Sequence, residues 1–570
     1  MKRVKKIFAA ILTAALSFGM LGSIPSYAVV NHDNAVGIDL NKAKTDSFSA
    51  RVTEKDYKIV LPADGYVTVS FSHGFVDKTD LYWKVVLENE SGKSFFEQSY
   101  VGNSKETKTS RKYGLGEGTY YLRVSSINYS DQNYKLTVNY TPVKGWEREI
   151  NDSFETASSI DYNTDTYGNL YDLRDTDFYK VTIPTAGYVS LYFDHDQVDT
   201  ESKTDKYWAS YLFDSKGNNL SNDEIYETYV GNSSDSVTGE SIGVPAGTYY
   251  IQIRNVEKIS SDVNYRLRFN YNPSNSWEME SNDTMEEANS FSVSDEITGK
   301  LAYKDTDIFM IDNKSPMGVK LSFSHNPVSV TGSYIINVFD KDEKPLITKQ
   351  VSDFSRVDVL TADFELPKGI TYFSVTSSDS TTAVSSVEYN ISVDPLNCSW
   401  ININKKSYWY ENGVRQGTYS DAKGVLGDGT VRGREIFDPV TNAWYWLDSV
   451  YDGAKACNKE VWMPYVYQDE AKWTEKEMRD NANASIGMPD YVFNCMKNKL
   501  GKWVRYDANG KMIKGWFTVD TEELIKLYPE QKGNKYYYDP KTGIMVKGYA
   551  VIDAKAYYFD DNTGVLIKAY

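Results

Sequence analysis

Apolar and polar residues alternate in short runs along most of this chain, and turn-forming residues separate the runs. In 65–73, Val67, Val69 and Phe71 fall on one side of an extended segment, with Thr68, Ser70 and Ser72 on the other. The run 187–195 places Val189, Leu191 and Phe193 in the same way. Period-two alternation between turn-rich gaps predicts half-buried antiparallel strands. A glycine opens each run, where a preceding turn often demands a positive φ.

The strand signals recur as a long-period repeat. Gly65-Tyr66-Val67 returns as Gly187-Tyr188-Val189 and again as Gly318-Val319-Lys320, each run ending on a histidine: His73, His195, His325. A second landmark, Gly118-Thr119-Tyr120-Tyr121, has counterparts at Gly247-Thr248-Tyr249-Tyr250 and Gly369-Ile370-Thr371-Tyr372. A closing strand follows at Tyr134, Tyr265 and Tyr389. Copies lie 122 to 131 residues apart, long enough for each to be a domain. Several strands in each copy predict a β-sandwich with one core between two sheets. The expected class is all-β: three tandem jelly-roll-like sandwiches at 31–142, 146–273 and 277–395. An aromatic-rich irregular β module at 399–500 and β-hairpin repeats at 501–570 follow.

Composition narrows the function. Sixty-two basic against 79 acidic residues give a net charge of −17, which argues against nucleic acid or an anionic membrane as the main partner. Residues 1–28 read as a secretory signal peptide, with Lys2, Arg3, Lys5 and Lys6 before the apolar run from Ile7 to Leu21 and Ser26-Tyr27-Ala28 at the cleavage site. Its removal would bring the charge to −21. No second long apolar segment follows, so no membrane span is expected after cleavage. The C-terminal residues 566–570 carry neither a sortase-type motif nor a hydrophobic tail, so attachment to the cell would be non-covalent. Cys398, Cys457 and Cys495 allow one bridge or three inert thiols, but no disulfide framework.

The second and third copies open on Trp-Glu-x-Glu-x-Asn-Asp: Trp146, Glu147, Glu149, Asn151 and Asp152, then Trp277, Glu278, Glu280, Asn282 and Asp283. Further on come Gly168-x-Leu170, Asp175-x-Asp177 and Gly187-Tyr188-Val189, matched by Gly299-x-Leu301, Asp305-x-Asp307 and Gly318. This order resembles the bacterial pre-peptidase C-terminal domain, a small non-catalytic sandwich appended to exported proteins. The first copy is divergent: it matches at Asp56-Tyr57 and Gly65-Tyr66 but lacks the acidic lead-in. Residues two apart in an extended segment share a side, so Glu147, Glu149 and Asn151 can converge. Together with Asp152, Asp175 and Asp177 they supply the oxygens Ca²⁺ prefers, and Glu278, Glu280, Asn282, Asp283, Asp305 and Asp307 supply the same set in the third copy. The family resemblance implies the same, since collagenase modules of this type bind calcium through such linker acids. Solvated linker charges with Asx turns at strand starts explain the same residues without an ion.

Little points to an active site. The repeated histidines sit at strand ends in all three copies and read as structural. Only His32 lies outside that scheme, in a stretch expected to be flexible. That leaves almost nothing for a Ser-His-Asp or Cys-His arrangement, and no HExxH, GxSxG or GxxxxGK[ST] motif occurs. Glu475 and Glu477, on a helical-looking stretch, are two residues apart and face different sides. The protein is therefore expected not to be an enzyme. The alternative within the enzyme class is a wall-glycan hydrolase with its carboxylates in 400–500.

After Pro395 the chain becomes rich in Trp, Tyr, Gly and Lys. Trp503-Val504-Arg505-Tyr506-Asp507-x-x-Gly510 leads to Gly515-Trp516, Tyr536-Tyr537-Tyr538-Asp539-Pro540-x-x-Gly543 leads to Gly548-Tyr549, and Tyr557-Tyr558-Phe559-Asp560 runs to Gly564. This resembles the cell-wall or choline-binding repeat of Gram-positive surface proteins, in which stacked hairpins form a solenoid. The resemblance implies that rings of neighbouring hairpins can cage a quaternary ammonium group, and it makes Trp503, Trp516, Tyr536, Tyr549 and Tyr557 the candidate rings. The same rings could instead be the hairpins' own core. The expected protein is secreted, cell wall-associated and bound to a wall glycan or wall polymer. The sandwiches would be displayed; an adhesin gripping a host or other extracellular protein or glycan is the remaining alternative.

Overall fold

The computed structural model describes residues 32–570 except for 171, 200–203, 221–226, 232–235, 257–261, 302–304, 328–331, 349, 356–358, 379–386, 419–423, 426–430, 464–473, 475 and 478–488. The signal-peptide segment and Glu475 fall outside the described residues. The chain forms two compact units divided between Glu280 and Ser281, and nearly all of its regular structure is β.

The first unit holds two sandwiches of the same plan. In the first, one sheet orders Val36–Gly37, Glu54–Leu61, Gly118–Ser126, Leu81–Asn89 and Ser94–Val101. The facing sheet orders Lys44–Asp46, Tyr134–Pro142, Gly65–His73 and Lys108–Thr109. The second sandwich repeats this with Thr176–Ile183, Gly247–Asn255 and Lys206–Phe213 in one sheet, and Asp165–Gly168, Tyr265–Pro273 and Gly187–His195 in the other. Alternation does the work the sequence assigned to it: Val67, Val69 and Phe71 are buried, as are Val189, Leu191 and Phe193. Each side chain fully removed from water contributes roughly 1.5–3 kcal/mol, and these strands line a separate core in each sandwich.

The strand-end histidines are packing elements. His73 stacks on Trp83 at 3.9 Å, and His195 lies 4.3 Å from Trp208. The Nδ1 of each meets the carbonyl of the next residue, Gly74 or Asp196, at 3.0 and 2.9 Å. His32 departs from its expectation. Its ring lies flat on Tyr121 at 3.7 Å, between Asp56 and Glu88 at 3.5 and 3.8 Å, so the stretch that carries it is packed down.

The second unit begins with the third sandwich. Thr306–Asn313, Gly369–Ser377 and Ser333–Asp340 form the centre of one sheet; Tyr389–Pro395 and Met317–His325 form the centre of the other, with Leu360–Leu366 at its edge. The chain then turns directly into the hairpin of Cys398–Ile403 and Lys406–Glu411. This hairpin is seated on the third sandwich. The Gly318 amide donates to the Gly413 carbonyl at 2.8 Å, and a Cβ on Gly318 would stand 2.4 Å from the Tyr410 ring. Tyr410 and Arg415 both bond Glu365.

Beyond it, each aromatic strand enters a turn built on an aspartate. Asp507 Oδ1 accepts the amides of Asn509 and Lys511, Asp539 Oδ1 those of Lys541 and Thr542, and Asp560 Oδ1 those of Asn562 and Thr563. Gly510, Gly543 and Gly564 take φ of +80, +67 and +69° there. The Gly-Trp or Gly-Tyr strand pairs with the aromatic strand of the next repeat: Gly515–Thr518 with Lys535–Tyr538, and Gly548–Ile552 with Lys555–Phe559. Successive turns stack, for a Cβ on Gly543 would strike Met512 Sδ at 2.2 Å and one on Gly564 would strike Met545 Sδ at 2.4 Å. Among its described residues the module also contains the α-helices Asp490–Lys497 and Glu522–Leu527. Cys398, Cys457 and Cys495 are free thiols.

Candidate functional site

The acidic lead-in of the second sandwich is held from two directions. Its backbone lies against the first sandwich, with Trp146 against Tyr66 at 4.7 Å, the Glu149 amide on the Gly114 carbonyl at 2.9 Å, and Arg148 paired with both oxygens of Asp64 at 3.1 and 3.0 Å. The acidic side chains reach into the second sandwich. One carboxylate oxygen from each of Glu147, Glu149 and Asp177 lies within 4.8 Å of the others.

Glu147 is buried: its Oε1 accepts the Asn169 amide at 2.9 Å, and its Oε2 accepts the Tyr179 hydroxyl at 3.0 Å. Tyr265 donates to Asp177, also buried. The Asn151 amide lies 3.3 Å from Asp177 Oδ1 and 3.2 Å from Glu149 Oε2. With its nitrogen toward them it donates hydrogen bonds; with its oxygen toward them it completes a set of oxygens facing one point.

Burial raises the Glu147 carboxyl despite its hydrogen bonds, and burial with neighbouring carboxylates pushes Glu149 and Asp177 well up. Such a cluster is costly unless protons or a cation neutralise it. Gly168 makes the room. A Cβ there would stand 2.5 Å from both Glu147 Oε2 and the Tyr265 hydroxyl. The adjoining Asn169 side chain is buried with no hydrogen-bond partner. This oxygen-only donor set in a cradle kept open by a glycine fits a hard divalent cation.

Not every predicted ligand belongs to the group. Asp152 is turned to the Thr176 amide as a brace, and Asp175 is buried nearby, where its charge helps raise Glu149 and Asp177. In the third copy, Glu278 and Glu280 end the first unit, whereas Asn282, Asp283, Asp305 and Asp307 lie in the second. There Tyr389 donates to Asp307, and the Thr306 amide reaches Asp283 and Asp305 at 3.4 and 2.9 Å.

The five predicted rings separate into different surroundings. Trp516 is 43% exposed and meets Tyr537 at 5.1 Å, Tyr557 at 5.0 Å and Phe559 at 6.0 Å. The Tyr537 and Tyr557 rings stand at 65 and 67° to the indole, giving a half-open corner of ring faces. Burial, with the charges of Asp553 and Asp539, raises the Tyr537 hydroxyl. Trp503 pairs with Trp462 at 5.6 Å, and Tyr549 is 55% exposed beside Tyr570 at 6.4 Å. Tyr536 is 2% exposed and belongs to the core. Tyr537, which nothing in the run singled out from its neighbour, takes that place in the corner. All three tyrosines of the run are buried, but alternation sends Tyr536 and Tyr538 into one cluster and Tyr537 into another, against the adjacent hairpin.

Residues 529–569 match the family model of the choline-binding repeat. The chain is 27% identical over 213 residues to collagenase ColT of Clostridium tetani, covering 36% of this chain and spanning only 19% of the collagenase. Among solved structures, the pre-peptidase C-terminal domain of a Bacillus anthracis collagenase is 18% identical, covering 20% of this chain and 93% of that one at a TM-score of 0.16. Choline binding protein F of Streptococcus pneumoniae, solved with a peptidoglycan analogue, is 14% identical, covering 42% of this chain and 66% of that one at a TM-score of 0.10. The chain thus carries three β-sandwiches followed by C-terminal hairpins, of which residues 529–569 match the choline-binding repeat.

Proposed function

We propose that this chain is a secreted, non-catalytic protein of the cell surface, held to the wall through its C-terminal repeats and carrying three sandwiches. The observation that carries the reading is the Trp516 corner: an exposed indole with two tyrosine rings at about 5 Å. Ring faces attract a cationic group by their quadrupole, at about 0.5–2 kcal/mol for each well-placed contact. They also stack on sugar rings, so a wall glycan or a cation-bearing wall polymer suits the corner. Trp503 with Trp462, and exposed Tyr549, extend the available aromatic surface.

The test is co-sedimentation of the full chain with Gram-positive sacculi, intact and stripped of wall polymers. The chain is expected to pellet with intact walls, and Trp516→Ala to weaken binding about tenfold. Retention on stripped sacculi would make glycan the receptor, and its loss would make the polymer the receptor. Equal behaviour of the variant, or no binding to either preparation, would overturn the reading.

A second element concerns the acidic cradle. Glu147, Glu149 and Asp177 would hold a divalent cation, calcium by the chemistry of the donors, with Asn151 oxygen as a further ligand. Its contribution would be charge: it would neutralise the carboxylates and tie the lead-in segment, already pinned to the first sandwich, to the second. The support is the Gly168 cradle, whose space a larger residue would close.

A further inference from the structure

One aromatic box in the C-terminal region already contains a cation. Arg505, on strand Lys502–Tyr506, is fully buried. Its guanidinium carbon lies 4.9 Å from the centre of the Phe517 ring, 4.9 Å from Tyr528 and 5.3 Å from Tyr536. Nη2 bonds the Glu460 carboxylate and donates to Gln531 Oε1 at 2.8 Å, and the Tyr538 hydroxyl lies beside the guanidinium. A guanidinium taken out of water ordinarily needs acceptors for most of its five N–H groups. Here one carboxylate, one amide and three ring faces replace the water.

The box is assembled from separate parts of the chain. Phe517 comes from strand Gly515–Thr518 and Tyr536 from its partner Lys535–Tyr538. Tyr528 and Gln531 come from the segment 521–532 that lengthens this hairpin. That segment is itself ordered by a cap: Thr521 Oγ1 accepts the Leu524 amide at 3.3 Å, starting helix Glu522–Leu527. Tyr528 then donates to the Asn458 carbonyl at 2.8 Å, fixing its ring over the guanidinium. The insertion therefore has a role that its sequence alone did not reveal: it lays one wall of the box and supplies an acceptor.

We infer that the Phe517–Tyr528–Tyr536 box is a site for an organic monocation of the guanidinium or alkylammonium class, which the chain fills with its own Arg505 and so closes to outside ligands. Arg505 is thereby a specificity-determining residue: it withholds this junction and leaves the Trp516 corner as the open one. Only that last clause rests on the wall-binding reading; occupancy of the box stands without it.

The test is chemical rescue in the full chain, read by hydrogen exchange of strands Gly515–Thr518 and Lys535–Tyr538. Arg505→Ala is expected to speed exchange there at least tenfold. Methylguanidinium chloride at tens of millimolar should restore at least tenfold of protection, against matched sodium chloride, while the wild-type chain does not respond. Tetramethylammonium, which cannot donate to Glu460 and Gln531, should restore less. Should Arg505→Ala not fold, the same salt is expected to raise its refolding yield. Arg505→Met separates charge from bulk and is expected to behave like the alanine variant without salt. Protection in Arg505→Met equal to wild type would overturn the inference. So would an alanine variant whose protection, or refolding yield, methylguanidinium leaves unchanged. Neither result depends on binding to sacculi, so failure here and failure of the wall-binding reading are distinguishable.

Discussion

The first two sandwiches share a fold but solve one electrostatic problem in opposite ways. Strand registers align Tyr57 with Tyr179, Tyr134 with Tyr265, and Lys55 with Asp177. Pairing with the closing strand sets Asp46 opposite Tyr134 and Gly168 opposite Tyr265. In the first sandwich Asp46 therefore brings its own carboxylate to the tyrosine pair, accepting the Tyr57 hydroxyl at 2.8 Å, and Lys55 bonds it with an ammonium. In the second, Gly168 leaves that space empty, Glu147 enters it from the lead-in segment, and Asp177 stands where the lysine would be. One sandwich contains its cation. The other gathers carboxylates around a point and has no lysine at the matching position.

The C-terminal rings repeat the lesson. Arg505 fills the Phe517–Tyr528–Tyr536 box, whereas the indole of the Trp516 corner is exposed. In this account, binding capacity lies where the chain does not supply the positive charge itself.

The comparison can be broken most forcefully at Gly168. Gly168→Ala pushes a methyl into the Glu147 carboxylate and the Tyr265 hydroxyl, and overpacking of this kind costs about 3 kcal/mol. Hydrogen exchange should show lost protection in Thr176–Ile183 with Glu54–Leu61 unchanged. A slightly smaller effect is expected from the ion. Calcium at 100 times its Kd should stabilise the second sandwich by about 2.7 kcal/mol and the first not at all, as exchange with and without chelator would show. Lys55→Met should cost the first sandwich ~1–2 kcal/mol, between the values for exposed and buried pairs, with no change in the second by the same readout.

The smallest effect is expected in acid. Burial acts to raise Asp46, but the hydrogen bonds from Lys55, Tyr57 and the Ser47 amide outweigh it and hold the carboxyl below its ordinary value. A carboxyl lowered on folding stabilises the fold above its unfolded pKa of about 3.9, and that share is lost as pH falls through the folded value. Protection of the first sandwich should therefore decline below about pH 4, and less so in Lys55→Met.

Much of this was legible in the sequence because the signals were periodic. The Gly-Tyr-Val runs, the closing tyrosines and the strand-end histidines fell where alternation placed them. The spacing of Glu147, Glu149 and Asn151 foretold their convergence, since extended residues two apart share a side. Other features depended on register between distant strands. Asp56-Tyr57 looked like the counterpart of the Asp177 motif, but pairing aligns Lys55 with Asp177, which reverses the charge. Gly168 was visible as a landmark, yet its purpose needed the Tyr265 ring opposite it. Within Tyr536-Tyr537-Tyr538, composition could not tell which ring faces the next hairpin. Segment 521–532 gave no sign that Tyr528 and Gln531 fold over Arg505.

The most direct test of the account transplants the first sandwich's solution into the second. The variant Glu147→Ala, Gly168→Asp, Asp177→Lys places a carboxylate and an ammonium where Asp46 and Lys55 stand, and removes the side chain that would collide. Calorimetric titration of the full chain with calcium should find one site fewer than in the wild-type chain, with the second sandwich protected from exchange even in chelator. An unchanged number of calcium sites in the variant, or no calcium uptake by the wild-type chain at millimolar concentration, would contradict it.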